Sequence, residues 1–115
     1  MLEKLLRVTR LIETYSGLLP RKQAQMCSSY YLDNLSLGEI AENEGISRQA
    51  VHDSLERAID AMEAAENALG LIQKSERLVE LCDRIKCLAQ SIKDGSDEAS
   101  IADLIESVDA LYSEI

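Results

Sequence analysis

Residues 36–57 read SLGEIAENEGISRQAVHDSLER, and this stretch decides the fold of the first half of the chain. Ser36 and Glu39 have the spacing of a capping box, in which each side chain bonds the backbone amide of the other at the start of a helix. Gly45 can adopt the left-handed conformation of a sharp turn, and Ser47 is a favourable N-cap for a further helix. The stretch therefore predicts two helices joined by a tight turn, the first over residues 37–44.

The residues around this turn fit a helix-turn-helix. Ala41 is small where the second helix passes close to the first, and four apolar residues are expected to hold the two helices together: Ile40, Ile46, Val51 and Leu55. The remaining side chains of the second helix then face outward: Ser47, Arg48, Gln49, His52, Asp53 and Glu56. A capping box and a glycine turn also occur in helical proteins that never contact DNA, so the shape alone does not establish a function.

The composition indicates an all-α fold. The 115 residues are 46% hydrophobic but only 3% aromatic, without Phe or Trp, so the core must be aliphatic. Leu, Ala, Glu, Lys and Gln are strong helix formers, and one Pro and five Gly leave few breaks. We expect a four-helix domain over residues 1–70 and a C-terminal amphipathic helical hairpin over residues 71–115.

Apolar spacing predicts the individual helices. The first runs over about residues 3–16, with a buried face formed by Leu5, Val8, Leu11, Ile12 and Tyr15. Pro20 suits the first turn of a second helix that continues to about residue 32. The fourth helix begins after Ser47, and Gly70 marks its end or a kink. The hairpin has two apolar stripes, at Leu78, Leu81/Cys82, Ile85, Leu88/Ala89 and Ile92, and at Ile101, Leu104/Ile105, Val108, Leu111/Tyr112 and Ile115. A turn is expected at residues 94–97, with Ser96 or Asp97 capping the last helix.

The net charge of −9 is unevenly distributed. Residues 1–57 contain seven basic and eight acidic side chains, whereas residues 58–115 contain five basic and thirteen acidic ones. The first part of the chain can approach a polyanion, and the second part would be repelled by one. Most apolar residues of the acidic hairpin are expected in a core, with some left for a dimer interface.

The sequence argues against catalysis and against a membrane span. It has one His, no glycine-rich phosphate loop, no metal-ligand spacing and no nucleophile–base arrangement, so we predict neither enzyme activity nor a cofactor. Charged residues interrupt the apolar N-terminus, which favours a cytoplasmic protein without a signal peptide. The three cysteines lack a CxxC pair and are expected to be reduced, partly buried thiols.

The segment LPRKQAQMCSSYYLDNLSLGEIAENEGISRQAVHDSLERA resembles the promoter-reading C-terminal domain of bacterial sigma factors. More closely, the residues 15–19, Lys22-Gln23, Tyr30-Tyr31 and residues 47–51 resemble the YlxM-like family of small sigma-like helix-turn-helix proteins. That family occurs in Gram-positive bacteria and mycoplasmas, typically encoded beside genes of the signal recognition particle. The resemblance covers about residues 5–70 and implies a sigma-like helix-turn-helix in a cytosolic protein with a regulatory or accessory role in protein targeting. His52 stands where an aromatic residue is more typical.

Two functions follow from these observations. In the first, the protein binds DNA: Arg48, Gln49 and His52 read bases, Ser47 holds a phosphate at the helix N-terminus, and Arg21, Lys22 and Arg57 hold further phosphates. Asp53 and Glu56 lie on the same exposed face and weaken this binding. Lys4, Arg7 and Arg10 either extend this basic surface or form a solvated edge. So few cations predict weak binding by a monomer, and hence a homodimer on a palindromic site. In the second, the protein is an adaptor that contacts a protein or RNA of the signal recognition particle without reading DNA.

Overall fold

The computed structural model describes residues 1–95 and 98–114, with the side chains of residues 98–100 left out. Six α-helices span the described residues: α1 Leu2–Tyr15, α2 Arg21–Tyr31, α3 Leu37–Glu44, α4 Arg48–Leu69, α5 Leu71–Lys93 and α6 Glu98–Ser113. A 3-10 turn, Ser16–Leu18, follows α1. The all-α prediction is confirmed, and α3 has the predicted bounds. The expected turn at residues 94–97, the cap at Ser96 or Asp97 and the stripe residue Ile115 lie wholly or partly outside the described residues.

The chain divides into two compact units, Met1–Ile72 and Gln73–Ile115. The first unit has an aliphatic core to which all four of its helices contribute, including Leu11 and Ile12 of α1, Cys27 of α2, Ile40 of α3, and Val51 of α4. Deleting a buried Leu side chain from such a core costs about 2–5 kcal/mol. This core is the scaffold that positions the α3–α4 pair.

Two of the predicted core positions are wrong. Leu5 and Ile46 are each 42% exposed, although the rest of the predicted α1 face and the other three apolar residues of the α3–α4 pair are buried. Ile46 directly follows the left-handed Gly45, and its amide bonds the Ala41 carbonyl at 3.1 Å. The backbone bond, not the Ile46 side chain, therefore closes the turn.

The second helix is one residue shorter at each end than predicted. Pro20 has an extended backbone and is the N-cap, so α2 begins at Arg21, and α2 ends at Tyr31. Two of the three glycines that the sequence predicts at helix ends behave as expected: Gly45 (φ 68°) and Gly70 (φ 63°) adopt the left-handed conformation that ends α3 and α4. Gly17, expected to end α1, instead lies inside the 3-10 turn that follows this helix.

A buried polar cluster ends the first unit. The Tyr15 hydroxyl donates to Glu66 Oε1 at 2.5 Å, and the Ile72 amide donates to the same oxygen at 2.9 Å. The Leu71 amide donates to the Tyr15 hydroxyl at 3.2 Å. Burial, the largest cause, and the hydrogen bond to Glu66 raise the pKa of Tyr15 above its ordinary value. Glu66 thus satisfies an amide of the first turn of α5 that has no partner within its own helix.

The second unit consists of most of α5 and the whole of α6. Leu81 is buried on α5, and Leu78, Ile85, Leu88 and Ile92 are half-buried. The sequence predicts most of the α6 stripe in a core, with some residues left for a dimer interface. Among its described residues Leu104 and Leu111 are half-buried, whereas the larger part, Ile101, Ile105, Val108 and Tyr112, is exposed. An ion pair joins the two helices, with Arg77 Nε 3.6 Å from Glu114 Oε1.

Candidate nucleic-acid interface

The α3–α4 pair is built by the capping chemistry that its sequence predicts. The Ser36 hydroxyl accepts from the Glu39 amide and a Glu39 carboxylate oxygen accepts from the Ser36 amide, both at 3.1 Å. Beyond Gly45, the Ser47 hydroxyl accepts from the Ala50 amide at 3.0 Å. A hydroxyl that accepts in such a cap keeps its own hydrogen for donation, so Ser47 can still bond a phosphate.

The N-terminal half of α4 has one buried face and one exposed face. Val51, Leu55 and Ala58 lie in the core with at most 3% exposure. Five side chains predicted to contact DNA are exposed on the other side: Ser47, Arg48, Gln49, His52 and Asp53. This is the arrangement in which the second helix of a helix-turn-helix can enter a major groove with its N-terminal residues toward the bases.

Arg48 lies across α3. A Cβ atom at Gly38 would be 3.1 Å from both Nε and Nη2 of Arg48, and 3.3 Å from its Cζ. Only the missing side chain at Gly38 lets the guanidinium rest this close to the first turn of α3. Gly38 therefore sets the resting position of the Arg48 guanidinium. Sequence reasoning gave Gly38 no role, although glycine inside a helix is unfavourable and thus a signal of close approach.

Gln49 and His52 both contact Asp53. The Gln49 amide nitrogen donates to Asp53 Oδ1 at 2.9 Å, and His52 Nδ1 is 3.5 Å from the same oxygen, an ion pair when His52 is protonated. The bond to Asp53 orients the Gln49 amide along the helix. To bond an adenine, Gln49 must exchange this partner for the base. Asp53 also brings a negative charge to the exposed face, which opposes phosphate.

The predicted phosphate-binding cations lie at the first turn of α2 and further along α4. Arg21, Lys22 and Arg57 are all exposed. The Gln23 side chain donates to the Ser54 carbonyl at 3.0 Å, which holds the first turn of α2 against α4. Arg57 lies three residues beyond Ser54, on the same side of α4. Gln23 is a positioning residue that the sequence reasoning missed.

The basic residues do not form an unbroken row. Asp53 and Glu56 separate Arg48 from Arg57 along α4, and Glu56 is close enough to Tyr31 to contribute, after burial, to raising the pKa of that phenol. Opposite charges at this spacing reduce the attraction to phosphate that each cation supplies. Along α4, Arg48 and Arg57 therefore lie on either side of two carboxylates.

Arg7, the middle cation of the basic edge of α1, is exposed but paired with a carboxylate of α4. Its Nε and Nη2 donate to the two carboxylate oxygens of Glu63 on α4, at 2.9 and 2.8 Å. These bonds from Arg7 lower the pKa of Glu63 below its ordinary value. Arg7 is thus engaged between helices, while Lys4 and Arg10 are exposed. The spacing of the three cations along α1 could not reveal this, because Glu63 is 56 residues away.

The cysteines divide into one buried and two exposed thiols. Cys27 is buried, which raises its pKa to about 11 and keeps the thiol neutral and unreactive at neutral pH. Cys82 and Cys87 are exposed, so the expectation of partial burial holds for Cys27 alone. Within residues 1–95 and 98–114, no three side chains of His, Cys, Asp or Glu are grouped to hold a metal ion. No helix in this part of the chain has the length and apolar character needed to cross a membrane.

Comparison with known proteins supplies a family. The model of the family UPF0122, described as "Putative helix-turn-helix protein, YlxM / p13 like", matches residues 2–106. A UPF0122 protein of Geobacillus kaustophilus is 42% identical over 111 residues, which cover 96% of this chain and 99% of the relative. The UPF0122 protein YlxM of Bacillus subtilis is 38% identical over 108 residues, covering 94% and 98% of the two chains. The matches extend through both units, beyond the residues that carry the sigma-like motif.

Proposed function

Because this chain belongs to the UPF0122 family of YlxM / p13-like helix-turn-helix proteins, we propose that it is a cytoplasmic regulatory protein that binds DNA through the exposed face of α4. The observation that carries this proposal is the position of Ser47, Arg48, Gln49 and His52 at the exposed N-terminal end of α4, directly after the Gly45 turn. Arg bonds guanine and Gln bonds adenine in the major groove through two hydrogen bonds each.

The charges support modest affinity. With Arg21, Lys22 and Arg57 as the phosphate contacts, the logarithm of the association constant is expected to fall with the logarithm of salt concentration at a slope of about −2.7. Affinity then drops roughly fortyfold between 50 and 200 mM salt. A homodimer on a palindromic site would double the contacts and steepen this slope, and this part of the proposal stays a prediction that sedimentation of the DNA complex can measure.

The test is selection of a DNA pool by the intact protein, followed by fluorescence anisotropy with the selected duplex. Arg48→Ala with Gln49→Ala is expected to weaken binding at least about tenfold, because each two-bond base contact supplies about 1–3 kcal/mol of discrimination. The matched control is Arg84→Ala with Gln90→Ala. Gln90 donates to Asp94 at 3.2 Å four residues on, as Gln49 donates to Asp53, and both control residues are exposed on α5.

Two results would contradict the proposal. If the parent binds no duplex at 50 mM salt, DNA is not its ligand. If the Arg48/Gln49 variant binds the selected duplex as tightly as the parent and the control do, α4 does not read bases. An Arg57→Gln variant separates the remaining contribution: it is expected to weaken binding to every sequence alike and to reduce the salt slope by about one.

One observation favours a second candidate function. The Gln49–Asp53–His52 cluster places a carboxylate within the face that would meet DNA, and residues 58–115 carry thirteen acidic against five basic side chains. An adaptor that contacts a protein of the signal recognition particle has no need of a continuous basic surface. Binding of the purified particle protein or its RNA by a parent that ignores DNA at low salt would support this function over the first.

A further inference from the structure

An exposed apolar row runs along α6. Ile101, Ile105, Val108 and Tyr112, here called the outer row, are 45%, 57%, 46% and 79% exposed. Their four-three-four spacing aligns them on one side of the helix over about three turns. Contiguous apolar surface of this kind marks sites of interaction, unlike single exposed apolar side chains.

The outer row is distinct from the residues that hold α6 in its unit. Leu104 and Leu111 are half-buried, and Ser107 is 1% exposed, with its hydroxyl donating to the Asp103 carbonyl at 2.9 Å. Glu114 pairs with Arg77 of α5 on this inner side. The less exposed side of α6 therefore carries Leu104, Ser107 and Leu111, and the outer row is apolar surface that stays exposed.

The charges bordering the outer row have one sign. Residues 98–114 contain five acidic and no basic side chains. Asp109 lies four residues after Ile105 and directly after Val108, so its exposed carboxylate borders the row, and the exposed Glu106 follows on the back of the helix. An apolar row with a carboxylate border attracts a partner whose apolar residues are flanked by cations.

We propose that the outer row binds an amphipathic helix of a partner protein, with apolar residues at three- and four-residue spacing and Lys or Arg beside them. A helix of 16 residues such as α6 is about 24 Å long, which suits a partner helix of three to four turns packed alongside it. A second copy of this chain fits less well, since residues 98–114 would bring acidic and no basic side chains from both copies. Nucleic acid and anionic membranes would be repelled. The proposal does not depend on DNA binding by α4.

The test uses the intact protein and a fluorescent 18-residue peptide of Leu and Lys, with Leu at helical spacing on one face. Its comparison peptide has Glu in place of every Lys. The parent is expected to bind the Lys peptide at 50 mM salt, more weakly at 300 mM salt, and not to bind the Glu peptide. Ile105→Ser with Val108→Ser leaves the net charge unchanged and is expected to weaken binding at least about tenfold, as truncation of central interface residues does.

Two further variants complete the design. The matched control, Leu18→Ser with Leu32→Ser, removes apolar side chains that are 68% and 50% exposed in the first unit, and is expected to bind the Lys peptide as the parent does. If the serine changes in α6 reduce the helical circular dichroism, the proposal is tested with Glu106→Gln and Asp109→Asn instead. This variant leaves the outer row intact and is expected to bind the Lys peptide more weakly and with less salt dependence.

Several outcomes would overturn the proposal. It is overturned if the parent fails to bind the Lys peptide at 50 mM salt, or if it binds the Glu peptide equally well. It is also overturned if the folded Ile105/Val108 variant retains parental affinity, because the peptide is then attracted by charge alone. If sedimentation shows a parent dimer that becomes monomeric in that variant, a second copy covers the outer row instead. Arg48→Ala leaves peptide binding unchanged if the proposal is right, so failure of the DNA proposal and failure of this one are separately visible.

Discussion

The two units have similar amphipathic sequence patterns but bury their apolar faces to different extents. In the first unit the apolar faces of α1 and α4 turn inward, and Leu11 and Val51 are completely buried. In the second unit α6 keeps Leu104 and Leu111 on an inner side and leaves Ile105 and Val108 more than two-fifths exposed. The comparison shows that helical periodicity identifies an apolar face but not what covers it. A four-helix arrangement offers neighbours on several sides, whereas a hairpin offers one.

The largest expected effect is a difference in stability between these two kinds of apolar residue. Leu11→Ala should lower the free energy of unfolding by about 2–5 kcal/mol, because it leaves a cavity in the core. Ile105→Ala, at an exposed position of α6, should change it by no more than about 0.5 kcal/mol. Urea unfolding followed by circular dichroism measures both. Equal losses would mean that the outer row is buried in the free protein, and would remove the contrast between the units.

The second largest loss of stability is expected from changes in the buried polar cluster of Tyr15 and Glu66 at the end of the first unit. Glu66→Ala removes the acceptor of the Tyr15 hydroxyl and the Ile72 amide. Leaving buried donors without partners should cost about 2 kcal/mol and speed amide exchange in the first turn of α5. Glu76→Ala, an exposed substitution on α5, serves as the control and should leave exchange at Ile72 unchanged. Unaltered exchange in the Glu66 variant would show that the cluster does not stabilise this junction.

Gly38→Ala should separate stability from binding within the first unit. Alanine in a helix is expected to stabilise the fold by about 0.5 kcal/mol through the unfolded chain. Its Cβ would also push the Arg48 guanidinium away by a few tenths of an ångström. Binding of the selected DNA should therefore weaken, by less than the about 1–3 kcal/mol that a good base contact supplies. Thermal unfolding and anisotropy measure the two effects, and tighter binding by the variant would show that the contact with Gly38 holds Arg48 away from DNA.

The smallest expected effect concerns the surface pair between α1 and α4. Glu63→Gln should reduce stability at pH 7 by no more than about 1 kcal/mol, because Arg7 and Glu63 are 43% and 37% exposed and solvent screens them. The pKa of Glu63 is lowered from 4.5, so its contribution is present above that pH and lost as the pH falls through the lowered value. The stabilities of parent and variant should converge as the pH falls below the lowered pKa of Glu63.

A double-mutant cycle with Arg7→Gln isolates the pairwise interaction, since Arg7 also has other interactions. Its coupling energy should shrink in step with acidification. A coupling energy that stays constant from pH 7 to pH 3 would assign the effect to packing of the Arg7 stem instead of its charge.

Local sequence signals predicted the ends of α3 and α4 well. Ser36, Gly45, Ser47 and Gly70 define helix ends through bonds and dihedral angles that involve only neighbouring residues, and these helix ends match the structure. The exposed face of α4 followed from the burial of Val51 and Leu55. The errors have a common origin. Ile46 and Leu5 are apolar residues at the correct spacing, but the neighbouring helices do not reach them.

By itself, the sequence determined the helical class, the positions of most helix ends and the exposed set on α4, because propensity, capping and periodicity act within a few residues of the chain. Only the tertiary structure decided that Arg48 rests on Gly38, that Arg7 bonds Glu63, that Glu66 joins Tyr15 to the start of α5, and that the outer row of α6 stays exposed. Apart from the Arg48–Gly38 contact, which spans the turn, each of these depends on residues brought together from distant parts of the chain or on a face left without a neighbour. Such long-range placement is set by packing of whole helices, which no local pattern records.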